Sequence, residues 1–205
     1  VLDGQPTQAS LRIWVPGCAT GEEPYSIAML ALELAEQAGK QLRLQVFGTD
    51  LDPQVITIAR QGVYSAGIAA DVSPERLQRF FVAGDNSYRI HKRVRDCVVF
   101  AAQNLLRDPP FTRLDVLSCR NLLIYLTPEV QKKLIPLFHY SLNPGGLLLL
   151  GSSESVGGFT DVFAPVHGKS RIFRRTDTIL RPEPVEFPSS FTAAAPGPEV
   201  RALPK

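Results

Sequence analysis

Val15-Pro16-Gly17-Cys18-Ala19-Thr20-Gly21-Glu22-Glu23-Pro24-Tyr25-Ser26 joins an apolar run, Leu11-Arg12-Ile13-Trp14-Val15, to an amphipathic pattern, Ile27-Ala28-Met29-Leu30-Ala31-Leu32-Glu33-Leu34. A short apolar run, a glycine-bearing turn and helical periodicity predict strand, turn and helix, the unit from which parallel sheets are built. Glycines in such a turn let a ligand approach the backbone closely. This turn carries Glu22 and Glu23 at the helix mouth in place of a Lys. Carboxylates there repel phosphate and attract an ammonium or sulfonium, so the pattern points to a cationic small molecule and away from a nucleoside triphosphate. Acids in a first helical turn also complement the helix dipole, which accounts for one of the two. The Tyr25-Ser26 pair after Pro24 is not explained by capping alone.

Outward from this turn the chain alternates strands and helices, which predicts an α/β fold with a largely parallel sheet. Leu11–Val15 is the first strand, and a helix from Pro24 to about Ala38 closes near Gly39. Leu42–Phe47 leads through Gly48-Thr49 to Asp50, a second strand ending in a carboxylate. Asp52-Pro53 opens a short helix to about Arg60, and Ser73-Pro74-Glu75 opens another to about Phe80. From Val82 to Phe100, a turn cluster at Gly84-Asp85-Asn86-Ser87 lies between β-rich segments, predicting a small antiparallel insertion that feeds back into a sheet strand. Leu114–Ser118 is a buried strand stopping at Cys119-Arg120-Asn121. Thr127-Pro128-Glu129 caps a helix to about Ser141, with a kink expected at Pro136. Asn143-Pro144-Gly145-Gly146 turns into Leu147–Leu150, and Lys169–Arg174 returns as the final strand. Residues 176–205 hold six of the 17 prolines with little apolar periodicity and read as a linker or disordered tail, leaving 8–175 as the domain.

At 205 residues and 44% apolar content, the chain can bury one full domain core. Lys and Arg number 22 against 20 Asp and Glu, a net charge of +2 that gives no basic footprint for nucleic acid. No uninterrupted apolar run approaches the ~20 residues needed to cross a bilayer, so no direct membrane insertion is expected. Cys18, Cys97 and Cys119 have no paired spacing; they suit a reduced, cytoplasmic setting and give no metal pattern.

Three strand ends now carry polar groups: the Gly17 turn, Asp50, and Arg120-Asn121. In open parallel sheets, ligands bind outside the carboxyl ends of the strands near the switch in strand order. Asp50, 27 residues after Glu23, falls where a second strand presents an acid to an unphosphorylated ribose diol. Its alternative role is to cap the helix at Pro53. A nicotinamide-dependent oxidoreductase requires Gly-x-Gly-x-x-Gly at the first turn, whereas this loop has Gly17-x-x-x-Gly21 followed by acids. His91, His139 and His167 are assigned to surface or supporting positions.

The run Gly17–Ala28 resembles the cofactor loop of the CheR-type chemotaxis receptor methyltransferases, a bacterial family. Further segments match in order: Phe47-Gly48-Thr49-Asp50-Leu51-Asp52, Gly62-Val63-Tyr64, Phe100-Ala101-Ala102-Gln103-Asn104-Leu105, Cys119-Arg120-Asn121-Leu122-Leu123-Ile124-Tyr125 and Gly151-Ser152-Ser153-Glu154-Ser155. The resemblance covers about residues 8–175. It implies a Rossmann-like S-adenosylmethionine-dependent methyltransferase fold, with a mostly parallel seven-stranded sheet ending in an antiparallel strand. It implies transfer of a methyl group from S-adenosylmethionine to glutamate side chains of chemoreceptors, leaving S-adenosylhomocysteine. By position, Glu23 receives the methionyl amino group with the Gly17 carbonyl, Asp50 holds the ribose hydroxyls, and Asn104 with Leu105 meets the adenine edge. Arg120 and Asn121 line the same cavity, and Tyr125 sits near the sulfonium methyl and incoming carboxylate. A glutamate carboxylate is ionised at neutral pH, so attack on a sulfonium methyl needs no general base. The lack of a His–Asp or Cys–His pair is therefore compatible with catalysis.

Two departures bear on that expectation. The family's N-terminal helical region supplies an arginine from a Thr-x-Phe-Phe-Arg type segment; only ten residues precede the first strand here, and none forms it. The expectation is a fragment of a larger signalling protein, such as the family's fusions with methylesterase or sensor domains. The rival reading is a non-catalytic S-adenosylmethionine or S-adenosylhomocysteine sensor or scaffold module. The second departure is a shorter connecting loop in the insertion, which suggests docking independent of a tethered receptor peptide. There Lys92, Arg93 and Arg95 are candidates to meet an acidic receptor surface, or form a solvated edge strand. Asp108-Pro109-Pro110-Phe111 is similar to the Asp-Pro-Pro-Tyr segment of amino methyltransferases, but it precedes the strand whose tip that motif should form, and reads as a turn.

Overall fold

In the computed structural model, which describes residues 8–167 and 170–177, the first strand β1 (Gln8–Pro16) divides its side chains between two cores. Leu11, Ile13 and Val15 enter one apolar cluster, while Trp14 enters the other, as the period of two along a strand requires. The first cluster adds Tyr25, Ala28 and Met29 from α1 (Glu22–Gln37) and Leu44 and Val46 from β2 (Gln41–Asp50). The second holds Phe47 from the same strand, Leu117 from β7 (Leu114–Cys119), and Leu134 and Phe138 from α5 (Pro128–Ser141). Helices thus cover both faces of the sheet, and both faces of β1 are apolar, as expected of a central parallel strand.

The remaining elements are α2 (Pro53–Gln61), β3 (Val63–Ser65), α3 (Pro74–Phe80), β4 (Phe81–Ala83), β5 (Ser87–Ile90), α4 (Lys92–Arg95), β6 (Val98–Ala102), β8 (Leu142–Leu150), β9 (Phe163–Pro165) and β10 (Ile172–Arg175). The main sheet has seven strands in the order β6-β2-β1-β7-β8-β10-β9. Pairings from β6 through β8 are parallel, and β10 is antiparallel to both β8 and β9. The chain builds outward from β1 to β2 and β6, then crosses back to place β7 on the other side of β1. That reversal opens the ligand crevice of an open α/β sheet beyond the carboxyl ends of β1 and β7.

Several local expectations need correction. The antiparallel insertion is a three-stranded sheet, β3-β5-β4, so its first strand arises at Val63, upstream of the predicted start. Gly62 starts it, with φ +58 at the end of α2 and its carbonyl accepting the Ile90 amide at 2.8 Å. Lys92–Arg95 forms a helical turn, not an edge strand, because the His91 ring accepts the Arg93 amide at 3.3 Å. The expected turn at Asn143–Gly146 is absorbed into β8 as an irregularity: Leu114 pairs with Leu142, but Val116 pairs with Leu147. The last strand of the chain, β10, is the expected antiparallel one, and the edge strand β9 paired to it was not among the strands read from the sequence. The short β9 carries no alternation that would announce it, and β10 begins at Ile172, whereas Lys169 lies outside the described residues, as do residues 178–205 of the proposed tail. His139 is buried, its Nε2 3.1 Å from the Thr176 carbonyl oxygen, whereas His91 and His167 are exposed.

Candidate cofactor site

The β1–α1 turn requires left-handed backbone at Gly17 (φ +70), Ala19 (φ +46) and Gly21 (φ +93). A Cβ on Gly21 would lie 2.9 Å from both the Ala59 Cβ and the Phe100 ring, so conformation and space both select glycine. The turn folds back over the tip of β2: the Cys18 amide donates to the Thr49 carbonyl at 3.0 Å and the Ala19 amide to Asp50 Oδ2 at 2.9 Å. Asp50 Oδ1 accepts the Asp52 amide at 3.1 Å. Capping of α2 falls to Asp52, which accepts the Gln54 amide at 2.7 Å. Asp50 is therefore free of the capping role, and its carboxylate, with about four acceptor sites, retains two after these amides.

The two acids at the mouth of α1 differ. Glu22 is exposed and lies 2.8 Å from the Thr20 hydroxyl. Glu23 is half-buried and accepts from the Ser118 hydroxyl of β7 at 2.6 Å. Burial pushes the Glu23 carboxyl above the usual glutamate range, Ser118 and Arg120 partly offset this, and Glu154 adds to it. None of the ion pairs among the described residues involves Glu22, Glu23 or Asp50. A cavity of about 470 Å³ is lined by Glu22, Glu23, Ser26, Ile27 and Leu30 of α1, Ser118 and Arg120 at the β7 tip, and Leu149 of β8. Asp50 and Asn104 do not line it.

At the end of β6, the Gln103 amide donates to the Asp50 carbonyl at 2.8 Å, bringing Asn104 and Leu105 beside the β2 tip. Asn104 Oδ1 accepts the Leu106 amide at 3.0 Å, and the Asn104 amide donates to Asp108 at 2.7 Å. Asp108-Pro109-Pro110-Phe111 thus closes a turn, and Phe111 stacks on Phe47 with ring centroids 4.4 Å apart. Beyond β7, Arg120 and Asn121 are exposed, Asn121 with φ +56, and a 3-10 turn over Leu123–Tyr125 leaves Tyr125 79% exposed. The Gly17 turn meets this segment directly, because a Cβ on Gly17 would lie 3.2 Å from the Leu122 side chain.

The fold thus gathers Gly17, Glu23, Asp50, Asn104, Leu105, Arg120 and Asn121 around neighbouring strand ends, with Tyr125 on the loop that follows. It does not bring Arg93 and Arg95 there. They lie on α4, and Arg93 pairs with Glu36 near the far end of α1. Tyr25 proves structural: it is buried and donates to the Ala59 carbonyl at 2.9 Å, while the Ser26 hydroxyl donates to the Glu22 carbonyl at 2.7 Å. Sequence reasoning missed Ser118 as the partner of Glu23; a serine within an apolar strand was the available signal. It also gave Glu154 no role beyond its place in a motif.

Burial disfavours the thiolate form of the cysteines near the site. Burial pushes the Cys18 thiol up to about 12, with Asp50 adding to the rise, and burial also raises Cys119. No cluster of three or more His, Cys, Asp or Glu suited to a metal occurs among the described residues. The donor set fits S-adenosylmethionine: a half-buried carboxylate with no ion-pair partner for an ammonium, and a second carboxylate with acceptor capacity for a diol.

The chain matches the family described as CheR methyltransferase, SAM binding domain, over residues 2–172. It is 43% identical to a 104.1 kDa protein in the hypE 3′ region of Rhodobacter capsulatus, covering 85% of this chain and 19% of that protein. It is 39% identical to the chemotaxis protein methyltransferase of Vibrio parahaemolyticus, over 76% of this chain and 58% of that one. It is 36% identical to chemotaxis protein methyltransferase 1 of Pseudomonas aeruginosa, over 80% and 62% respectively. The chain therefore spans less than two thirds of these relatives. With a sheet whose order reverses between β1 and β7, the chain belongs to the CheR methyltransferase family as its S-adenosylmethionine-binding domain.

Proposed function

We propose that this domain serves the transfer of a methyl group from S-adenosylmethionine to glutamate side-chain carboxylates of a chemoreceptor-like protein, within a longer signalling protein. The observation that carries the reading is the pair of acids at the mouth of α1 and the tip of β2, Glu23 and Asp50, neither held by an ion pair. Glu23 binds the methionyl ammonium together with the Gly17 carbonyl, and Asp50 takes the ribose hydroxyls in the acceptor sites its two amides leave. Asn104, already turned by the Leu106 amide, and Leu105 meet the adenine. The bound cofactor supplies a methyl group on a positively charged sulfur.

The nucleophile comes from the partner and is ionised at neutral pH, so the domain's residues align it and exclude water instead of removing a proton. Arg120 and Asn121 line the approach, and Tyr125, exposed on its 3-10 turn, flanks the incoming carboxylate. No described helix is long and apolar enough to cross a membrane. The proposed setting is the cytoplasm, against the cytoplasmic part of a receptor, with fused methylesterase or sensor domains as candidate neighbours. Arg93 and Arg95 are proposed to face the receptor, with Arg93 doing so from its pairing with Glu36. Residues 8–175 are proposed as the methyltransferase domain and 176–205 as a Pro-rich linker or tail.

The full-length protein should bind S-adenosylhomocysteine in calorimetry and incorporate base-labile methyl groups into receptor fragments. Binding without incorporation into any receptor fragment would favour the sensor reading. Absence of binding would remove the cofactor assignment.

A further inference from the structure

Glu154, 4% exposed, is the one buried carboxylate among the described residues, and the reading above gives it no task. It follows β8 in the segment Gly151-Ser152-Ser153-Glu154, and no ion pair among the described residues reaches it. Four backbone amides converge on it instead. Oε2 accepts from Gly151 at 2.6 Å and Asn121 at 3.1 Å, and Oε1 accepts from Leu122 at 2.9 Å and Leu123 at 2.8 Å. Consecutive amides pointing to one anion are costly to leave unpaired, and a fixed carboxylate satisfies them where a helix would otherwise need a cap.

The three consecutive donors belong to the loop that carries Arg120, Asn121 and Tyr125. On the opposite side, Gln131 of α5 donates to the carbonyls of Leu123 at 2.9 Å and Leu126 at 3.0 Å. The loop is thus held by its amides from one side and its carbonyls from the other. It has a conformation to hold: Asn121 sits at φ +56, left-handed backbone that persists where the surrounding structure fixes it. Space around the carboxylate is also reserved, since a Cβ on Gly151 would lie 2.7 Å from Glu154 Oε2 and 2.9 Å from Asn121 Oδ1. The same loop reaches the cofactor turn through Leu122, which packs under Gly17.

We infer that Glu154, opposed by Gln131, is a positioning residue for methyl transfer: it fixes the loop that presents Arg120, Asn121 and Tyr125 to the reacting groups. The inference rests on the proposed methyltransferase reading. Glu154 touches no reacting atom and acts only through the loop, so its loss must show in turnover beyond its loss in stability.

The test compares E154Q and Q131A with E33A, which breaks an ion pair outside the site, in the full-length protein. Glutamine keeps the shape of Glu154 but turns one acceptor into a donor facing two amides. In folded E154Q, kcat at saturating cofactor should fall about tenfold or more, with a smaller loss of S-adenosylhomocysteine affinity. Q131A should move both in the same direction by a few-fold, and E33A should move neither. E154Q that folds with unchanged kcat and affinity overturns the inference. If E154Q fails to fold, Q131A decides it: a kcat matching that of E33A overturns the clamp. A wild-type protein that binds no S-adenosylhomocysteine overturns the cofactor reading itself, and this inference with it.

Discussion

The two ends of α1 carry the same residue type in opposite circumstances. At its C-terminal half, Glu33 pairs with Arg76 at 2.8 Å, and Glu36 pairs with both Arg79 and Arg93, tying the helix to α3 and α4. The Arg76 hydrogen bond holds the Glu33 carboxyl below the usual range, and Arg93 and then Arg79 do the same for Glu36. At its N-terminal mouth, Glu23 has a hydroxyl and a nearby guanidinium but no ion pair, and burial holds its carboxyl above that range. One end uses its charge to fasten an insertion to the sheet layer. The other leaves a half-buried carboxylate without an ion pair beside a cavity, the arrangement that the proposed ammonium contact uses.

The sharpest way to break this contrast is to remove the N-terminal acids. Glu23→Ala and Asp50→Ala should each weaken S-adenosylhomocysteine binding by about 30- to 100-fold, a charge-assisted loss of about 2–3 kcal/mol, measured by calorimetry. Neither substitution should unfold the protein. Wild-type affinity in both variants would place the cofactor elsewhere. Next in size is Gly21→Ala, which forces a Cβ to 2.9 Å from Ala59 and Phe100 at φ +93. It should destabilise the protein by about 1–3 kcal/mol in denaturant melts, because strain and overpacking act together. A negligible change would mean that the turn is looser than its geometry states.

The sequence made the N-terminal mouth readable because backbone punctuation is local. Gly17, Gly21, the acids after them and Asp50 at a strand end all declare themselves within a few residues. The alternation of Ile13, Trp14 and Val15 within a fully apolar run announced a central strand, and the α/β class followed. Pairings over long separations were not readable. Ser118 and Glu23 are 95 positions apart, and Arg93 and Glu36 are 57 apart. Hence the same basic run that looked available for an acidic partner, Lys92-Arg93-Arg95, turned out to have one member engaged with α1. The three-residue strands β3 and β9 were too short to show a period and form only by pairing with β5 and β10. Glu154 was visible as a motif letter, but nothing local reveals that four amides point at it.

The smallest effects distinguish the two ends by sign. Glu33→Ala should cost about 0.2–1 kcal/mol, as expected of a partly exposed pair, and leave S-adenosylhomocysteine affinity unchanged. Because the folded carboxyls of Glu33 and Glu36 bind protons less tightly than the unfolded ones, their contribution is fully present above the unfolded range and disappears as pH falls through their lower folded values. Glu23 runs the other way. Its ionisation costs stability at neutral pH, and the cost fades as pH falls through its raised folded value. Glu23→Gln should therefore stabilise the ligand-free protein at pH 7, with the advantage shrinking on acidification, while S-adenosylhomocysteine binding weakens. Glu33→Ala should instead converge on the wild type in acid from below. Paired thermal melts across pH 3.5–7 (an interval set roughly by the carboxylate range) read both signs, and a Glu23→Gln variant less stable than wild type at pH 7 would place that carboxylate among the structural acids.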